Sequence, residues 1–242
     1  MKVSIHPSPD TANIAAADLL ADWLLTPDVR NVMVAAGNSP LELYGRIAER
    51  GLPLAHLEIF ALDEYVGVRS GEPRNCANLL RRTVARAWGV PAEQFHGISS
   101  VEPEALASVQ AHGAKIAAMG GIDVVVLGLG QNGHLGFNEP GSAPDSSERV
   151  LDLDAVSVEA NRRWFAGDCA PSRGATTGLK TILAARRVLL LAFGNHKSTA
   201  VHSMIHGPRT PACPASLLQG HANVCIFLDT AAAEKLPSIA IA

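Results

Sequence analysis

The chain has 242 residues, 48% hydrophobic and 18% charged, with a formal net charge of −3. That length and hydrophobic share allow one large domain or two tightly packed small ones, and the charge gives no global attraction for nucleic acid or an anionic membrane. Its longest apolar stretches run about six to seven residues, far short of the roughly 20 that cross a bilayer. Met1–Pro9 holds one lysine and no long apolar run, unlike a secretory signal. The four cysteines, Cys76, Cys169, Cys213 and Cys225, form no CxxC pair, as expected of reduced thiols in a cytoplasmic protein, and Cys225 lies in an apolar run where a buried structural role is the default.

In chain order, Val3 to Ile5 reads as a first strand, and Asn13 to Leu25 spaces Ile14, Leu19, Leu20 and Leu24 near helical periodicity. Val32 to Ala35 is a continuous apolar run, the mark of a strand covered on both faces. After it, Ser39, Pro40 and Glu42 have the spacing of an N-cap, a first-turn proline and a capping box. Leu57 to Leu62 is the next strand, followed by helices over Asn78 to Trp88 and Glu104 to Met119 and a strongly apolar strand over Ile122 to Leu129. Residues 140–174 are the least regular stretch, rich in Gly, Ser, Pro and Asp, and a segment around 141–174 is expected to form a mobile lid. Val188 to Phe193 and Asn223 to Leu228 read as further strands, with a helix over Lys197 to Ile205 between them. Repeated strand–helix units predict a single α/β domain over 1–242, with an open, mostly parallel sheet and helices on both faces.

In such sheets ligands bind at the carboxyl ends of strands, and four of these ends carry suggestive residues. Gly37, Asn38 and Ser39 join a strand to a helix start, where free N–H groups and a hydroxyl can hold an anion, although the same turn also serves as an ordinary connection. Asp63 and Glu64 are adjacent carboxylates after an apolar strand, placed either as a solvated acidic turn or as a desolvated pair with a general base of raised pKa. The third end contains a formal GxGxxG at Gly128, Gly130 and Gly133, but Gly136, Asn138 and Pro140 follow too soon for the long helix of a dinucleotide fold. A glycine-loosened loop presenting His134, with Glu139 near enough to orient the imidazole, fits better. His134 and Glu139 could be two metal ligands, but no third or fourth has suitable spacing, so no metal is expected. At the fourth end, Lys197 in Gly194-Asn195-His196-Lys197 can add a point charge to a phosphate site or simply face solvent.

Together, Gly37-Asn38-Ser39-Pro40-Leu41, Leu62-Asp63-Glu64-Tyr65-Val66-Gly67, Leu127 to Pro140 and Gly194-Asn195-His196-Lys197 resemble the glucosamine-6-phosphate deaminase family, in order and spacing from about residue 30 to about 230. Asn138-Glu139-Pro140 after Gly-His separates the pattern from 6-phosphogluconolactonases, which share the Rossmann-like fold. The resemblance implies conversion of glucosamine 6-phosphate and water to fructose 6-phosphate and ammonia, without a cofactor. Asp63 then matches the C2-to-C1 base, His134 the ring-opening residue, Glu139 its carboxylate partner, and Asn132 a position where many members have Asp. Gly37, Asn38, Ser39, Lys197 and Arg163, or the adjacent Arg162, would hold the phosphate. Thr176 and Gly178 match a Thr-x-Gly element. Pro73-Arg74-Asn75-Cys76, Ser172-Arg173-Gly174 and Pro214-Ala215-Ser216 also resemble galactosamine-6-phosphate deaminase/isomerases, which leaves the C4 epimer open. Leu151 at a basic effector position, and a chain ending soon after Leu228, imply a monomer or small homo-oligomer rather than an allosteric hexamer, with a small sugar phosphate as partner, no nucleic acid and no membrane. A lactonase, a non-catalytic sugar-phosphate sensor and an NAD-dependent dehydrogenase are the competing readings.

Overall fold

The structure, a computed structural model, describes residues 1–237. The chain runs β1 (Lys2–His6), α1 (Pro9–Leu24), β2 (Asn31–Val34), α2 (Asn38–Glu49), β3 (Glu58–Ala61), β4 (Asp63–Tyr65), α3 (Cys76–Leu80), β5 (Phe95–His96) and α4 (Glu102–Ala118). It continues through β6 (Val124–Gly128), β7 (Arg149–Asp152), α5 (Ala155–Trp164), β8 (Arg173–Thr176), α6 (Leu179–Leu183), β9 (Arg187–Ala192), α7 (Ser198–His206) and β10 (Val224–Asp229). Seven strands form one sheet in the order β1-β10-β9-β6-β2-β3-β5, every pair parallel.

The central strands bury both faces, and their side chains alternate between two cores. Val124 and Val126 of β6, with Leu189 and Leu191 of β9, pack beneath α1 and α2. Val125 and Leu127, with Val188 and Leu190, pack beneath α6 and α7 on the opposite face. Leu190 is fully buried in that second core. Leu190→Ala is expected to cost about 2–5 kcal/mol, measured as a lowered urea midpoint at unchanged m-value.

Three features depart from the expectations. The helix expected to start at Pro40 with Ser39 as N-cap begins at Asn38, with Gly37 as N-cap at φ 135° and no side-chain capping bond, so the capping box does not form. Glu42 instead pairs with Arg46 at 2.7 Å, one turn on. Stretch 140–174, read as the least regular, contains a strand–helix–strand unit: β7 and β8 pair antiparallel with each other, and β8 pairs with β4, giving a second, three-stranded sheet. Cys225 is half-buried rather than buried. Among the described residues, no helix is long and apolar enough to cross a membrane.

The main sheet reverses its order between β2 and β6. Successive strands leave that point in opposite directions, so the loops after β2 and β6 splay apart and open a crevice between them.

Candidate active site

A cavity of about 1000 Å³ lies over this crevice. Gly37, Asn38, Ser39, Asp63, His134 and Lys197, drawn from segments spread between residues 37 and 197, all line it. Arg163 lines it as well, whereas Arg162 does not.

The anion end is built from backbone. Gly37 takes a positive φ that side chains resist, and α2 then starts with its first N–H groups uncapped. These donors, with the positive end of the helix dipole, suit a phosphate. Lys197 enters from the turn after β9, its Nζ donating to the Leu129 carbonyl. Burial pushes its ammonium down to about 8. The exposed His196 beside it is lowered by partial burial and then by the Lys197 charge.

Asp63 opens β4 and pairs in register with Thr176. Asp63 is 5% exposed, and burial pushes its carboxyl up to about 7, against a hydrogen bond from the Cys76 thiol and with a further push from Glu64. The neighbouring Glu64 points away to a structural task. It accepts the N–H groups of Tyr65, Cys76 and Ala77 at 2.8, 3.0 and 2.8 Å and so holds the start of α3. Adjacent carboxylates on a strand face opposite ways, which is why the pair divides its roles.

His134 stands across the cavity. Its Nδ1 lies 3.3 Å from Glu139 and 3.3 Å from the Ser157 hydroxyl. Burial would raise Glu139, but hydrogen bonds from His134, Ser157 and Asn132 outweigh it and bring the carboxyl to about 2. Asn132 stands behind the imidazole, donating from Nδ2 to Glu139 at 2.8 Å and accepting the His134 N–H at 3.2 Å. Asn132 and Glu139 therefore orient His134 without lining the cavity themselves. The Gly128–Gly133 glycines serve this loop: a Cβ on Gly130 would sit 2.4 Å from the His134 ring, and Gly133 turns the chain at φ 87°. Thr176 accepts the Phe137 N–H at 3.2 Å, and Gly178 packs against the Ser146 carbonyl, so both shape the loops around the site. Among the described residues, no group of three or more His, Cys, Asp or Glu side chains could hold a metal ion.

Tyr65, Arg74, Cys76, Ser157 and Trp164 also line the cavity, although sequence reading assigned them no role in the site. Tyr65 and Cys76 fall inside or beside segments already singled out. Ser157 carried no local signal, because α5 has no apolar stripe, and Trp164 lies directly after the Arg162-Arg163 pair.

The family model described as glucosamine-6-phosphate isomerases/6-phosphogluconolactonase matches residues 10–226. A glucosamine-6-phosphate deaminase of Pseudarthrobacter chlorophenolicus is 37% identical over 225 residues, covering 91% of this chain and 87% of its own. One from Cutibacterium acnes is 37% identical over 241 residues, covering 98% and 92%. Among solved structures, a monomeric glucosamine-6-phosphate deaminase superposes with a TM-score of 0.92 at 28% identity, over 97% of this chain and 99% of that one. A 6-phosphogluconolactonase from Trypanosoma cruzi reaches 0.80 at 22% identity over 98% and 97%, a likeness of fold alone.

Proposed function

Because this chain belongs to the family of glucosamine-6-phosphate isomerases and 6-phosphogluconolactonases, we propose that it is a deaminase converting glucosamine 6-phosphate and water to fructose 6-phosphate and ammonia. The observation that carries this reading is the buried Asp63 carboxyl, raised to about 7, in the same cavity as the uncapped start of α2 and Lys197. A lactonase needs no base that removes a carbon-bound proton. An aldose–ketose step does, and a carboxylate with pKa near the working pH is suited to it.

In the proposed mechanism, the N–H groups at Asn38 and Ser39, with Lys197 and Arg163, hold the phosphate and so fix C1 and C2 beside Asp63. Fixed geometry of this kind can supply ~7–11 kcal/mol of a barrier. With Nδ1 held by Glu139, the other ring nitrogen of His134 carries a proton between the anomeric hydroxyl and the ring oxygen, opening the ring. Asp63 takes the C2 proton, an enolamine forms, and the proton returns to C1. Water adds to the resulting C2 imine, and ammonia leaves. Asn132 and Glu139 act through His134. The enzyme works in the cytoplasm as a monomer or small homo-oligomer, and with Leu151 at the effector position it is not activated by N-acetylglucosamine 6-phosphate.

The test is to offer the purified protein glucosamine 6-phosphate, galactosamine 6-phosphate and 6-phosphogluconolactone, measuring ammonia and lactone hydrolysis. Ammonia from the first substrate is expected. Lactone hydrolysis without ammonia would overturn the reading, and faster release from the galacto epimer would reassign the sugar. A second expectation follows from the close approach of Gly130 to the imidazole. Gly130→Ala displaces His134 by a substantial fraction of an ångström or more, and kcat should fall about 10²-fold while the phosphate-dominated KM changes little.

A further inference from the structure

Helix α5 roofs the cavity with Ser157, Asn161, Arg163 and Trp164, and its apolar hold on the protein lies just past its end, where Phe165 is fully buried. Its buried residues are two polar ones, Ser157 and Asn161, and none of its side chains joins a hydrophobic core. Its N-terminal end is held by polar contacts to the catalytic loop: Ser157 to His134, and the Asp154 N–H to Glu139 at 3.3 Å. The side chains of α5 itself give it little apolar anchoring, so the contacts at its other end, around the buried Phe165, decide where it rests.

Those contacts converge on one residue. Arg74 donates from Nε to Glu72 at 2.6 Å, from Nη1 to the Phe165 carbonyl at 2.8 Å and from Nη2 to Asp168 at 2.8 Å. Its guanidinium lies 5.3 Å from the centre of the Phe165 ring, and its own carbonyl accepts the Trp164 indole N–H at 2.9 Å. The fork thus joins the loop before α3 to both the side chain and the backbone of the turn that ends α5, a geometry a point-charge ammonium cannot reproduce. The same residues reach the base. Phe165 packs edge-on against Tyr65 at 5.1 Å, two residues after Asp63, and two residues beyond Arg74 lies Cys76, whose thiol meets Asp63.

We propose that Arg74 is a positioning residue that latches α5 over the cavity, setting the closed arrangement in which Arg163 and Ser157 meet the substrate and Tyr65 is held beside Asp63. This rests on the reading of the cavity as the amino-sugar-phosphate site. Arg74 acts through the protein, since four of its five N–H donors are taken up by Glu72, Phe165 and Asp168.

The experiment compares wild type with Arg74→Met, Arg74→Lys and the exposed Asp168→Asn, in two readouts. In the ligand-free protein, trypsin cleavage after Arg162 and Arg163 is timed by mass spectrometry, with cleavage after Arg187 in the main sheet as internal reference. Arg74→Met should speed cleavage at the lid about tenfold relative to the reference, with smaller gains for Asp168→Asn and Arg74→Lys, because cleavage tracks the open population. In ammonia release, KM for glucosamine 6-phosphate should rise about tenfold with kcat changed less, since the apparent affinity scales with the closed fraction. Cleavage at the wild-type rate, or raised equally after Arg187, overturns the latch. If wild type releases no ammonia while cleavage at the lid rises as stated, the latch stands and the substrate assignment falls.

Discussion

Asp63→Asn is expected to lose about 10²–10⁴-fold in kcat, the usual worth of a general base, while KM stays close to wild type. The amide keeps the shape of the carboxyl and its contact with the Cys76 thiol but cannot take the C2 proton. An Asp63→Asn enzyme with most of its kcat would show that another group is the base. The same change separates catalysis from stability. Burial raises the Asp63 carboxyl from 3.8 to about 7 in the folded chain, so between those values the native state holds a proton that the unfolded chain has released. Stability therefore falls as pH rises through this window, and above about 7 the buried charge is a standing cost. Asparagine removes the charge, so the variant should melt a few degrees above wild type at pH 8, given about 2–4 °C per kcal/mol for a domain this size. The difference should vanish near pH 4. A catalytic group that destabilises its own fold marks a strained site, and a loss of Tm in Asp63→Asn at pH 8 would contradict the raised pKa. Glu64 is also pushed to about 7 by burial, against its three backbone N–H partners, so any measured titration belongs to the adjacent pair.

The parts of this site that the sequence disclosed are those whose chemistry is local. The strands β2, β6 and β9 are built on continuous apolar runs, and each ends in a glycine-containing turn whose polar residues face one crevice once the parallel order is granted. His134 with Glu139 lies within a single loop, so its pairing needs no long-range knowledge. The glycines before it read formally as a nucleotide fingerprint, and their purpose, space for an imidazole against Gly130, is steric. The second sheet was not legible. β4 is Asp-Glu-Tyr, with no apolar alternation, and it becomes a strand only because β8, more than a hundred residues on, supplies its partner. Arg74 likewise meets Phe165 across 91 positions, and the neighbouring residues give no sign of it. The misplaced start of α2 has another cause. Ser39, Pro40 and Glu42 satisfy a capping pattern, but Gly37 can take a φ that lets the helix begin two residues earlier and leaves its N–H groups free. A helix start whose N–H groups stay free departs from the pattern that satisfies them internally.

Lys197→Met should raise KM about 10–100-fold and leave kcat within a few-fold, because a hydrogen bond between charged groups contributes about 1.5–3 kcal/mol. Burial lowers its ammonium from 10.5 to about 8. Between those values the unfolded chain keeps a proton that the native state has lost, so stability rises with pH across that window, and below about 8 the buried cation weakens the ligand-free fold. Methionine fills similar space without charge, so at pH 7 the free variant should melt at or above the wild-type temperature. Inorganic phosphate should raise the Tm of wild type and shift the variant far less, since only a ligand that prefers the native state stabilises it. Together, Asp63 and Lys197 set the pH profile of kcat/KM, which reports groups of the free enzyme. Activity should climb as Asp63 loses its proton near 7 and decline as Lys197 loses its own near 8, giving a narrow optimum between them. In Lys197→Met the alkaline limb should flatten while the acid limb stays. An alkaline limb unchanged in that variant would assign it to a different group and remove Lys197 from the phosphate cradle.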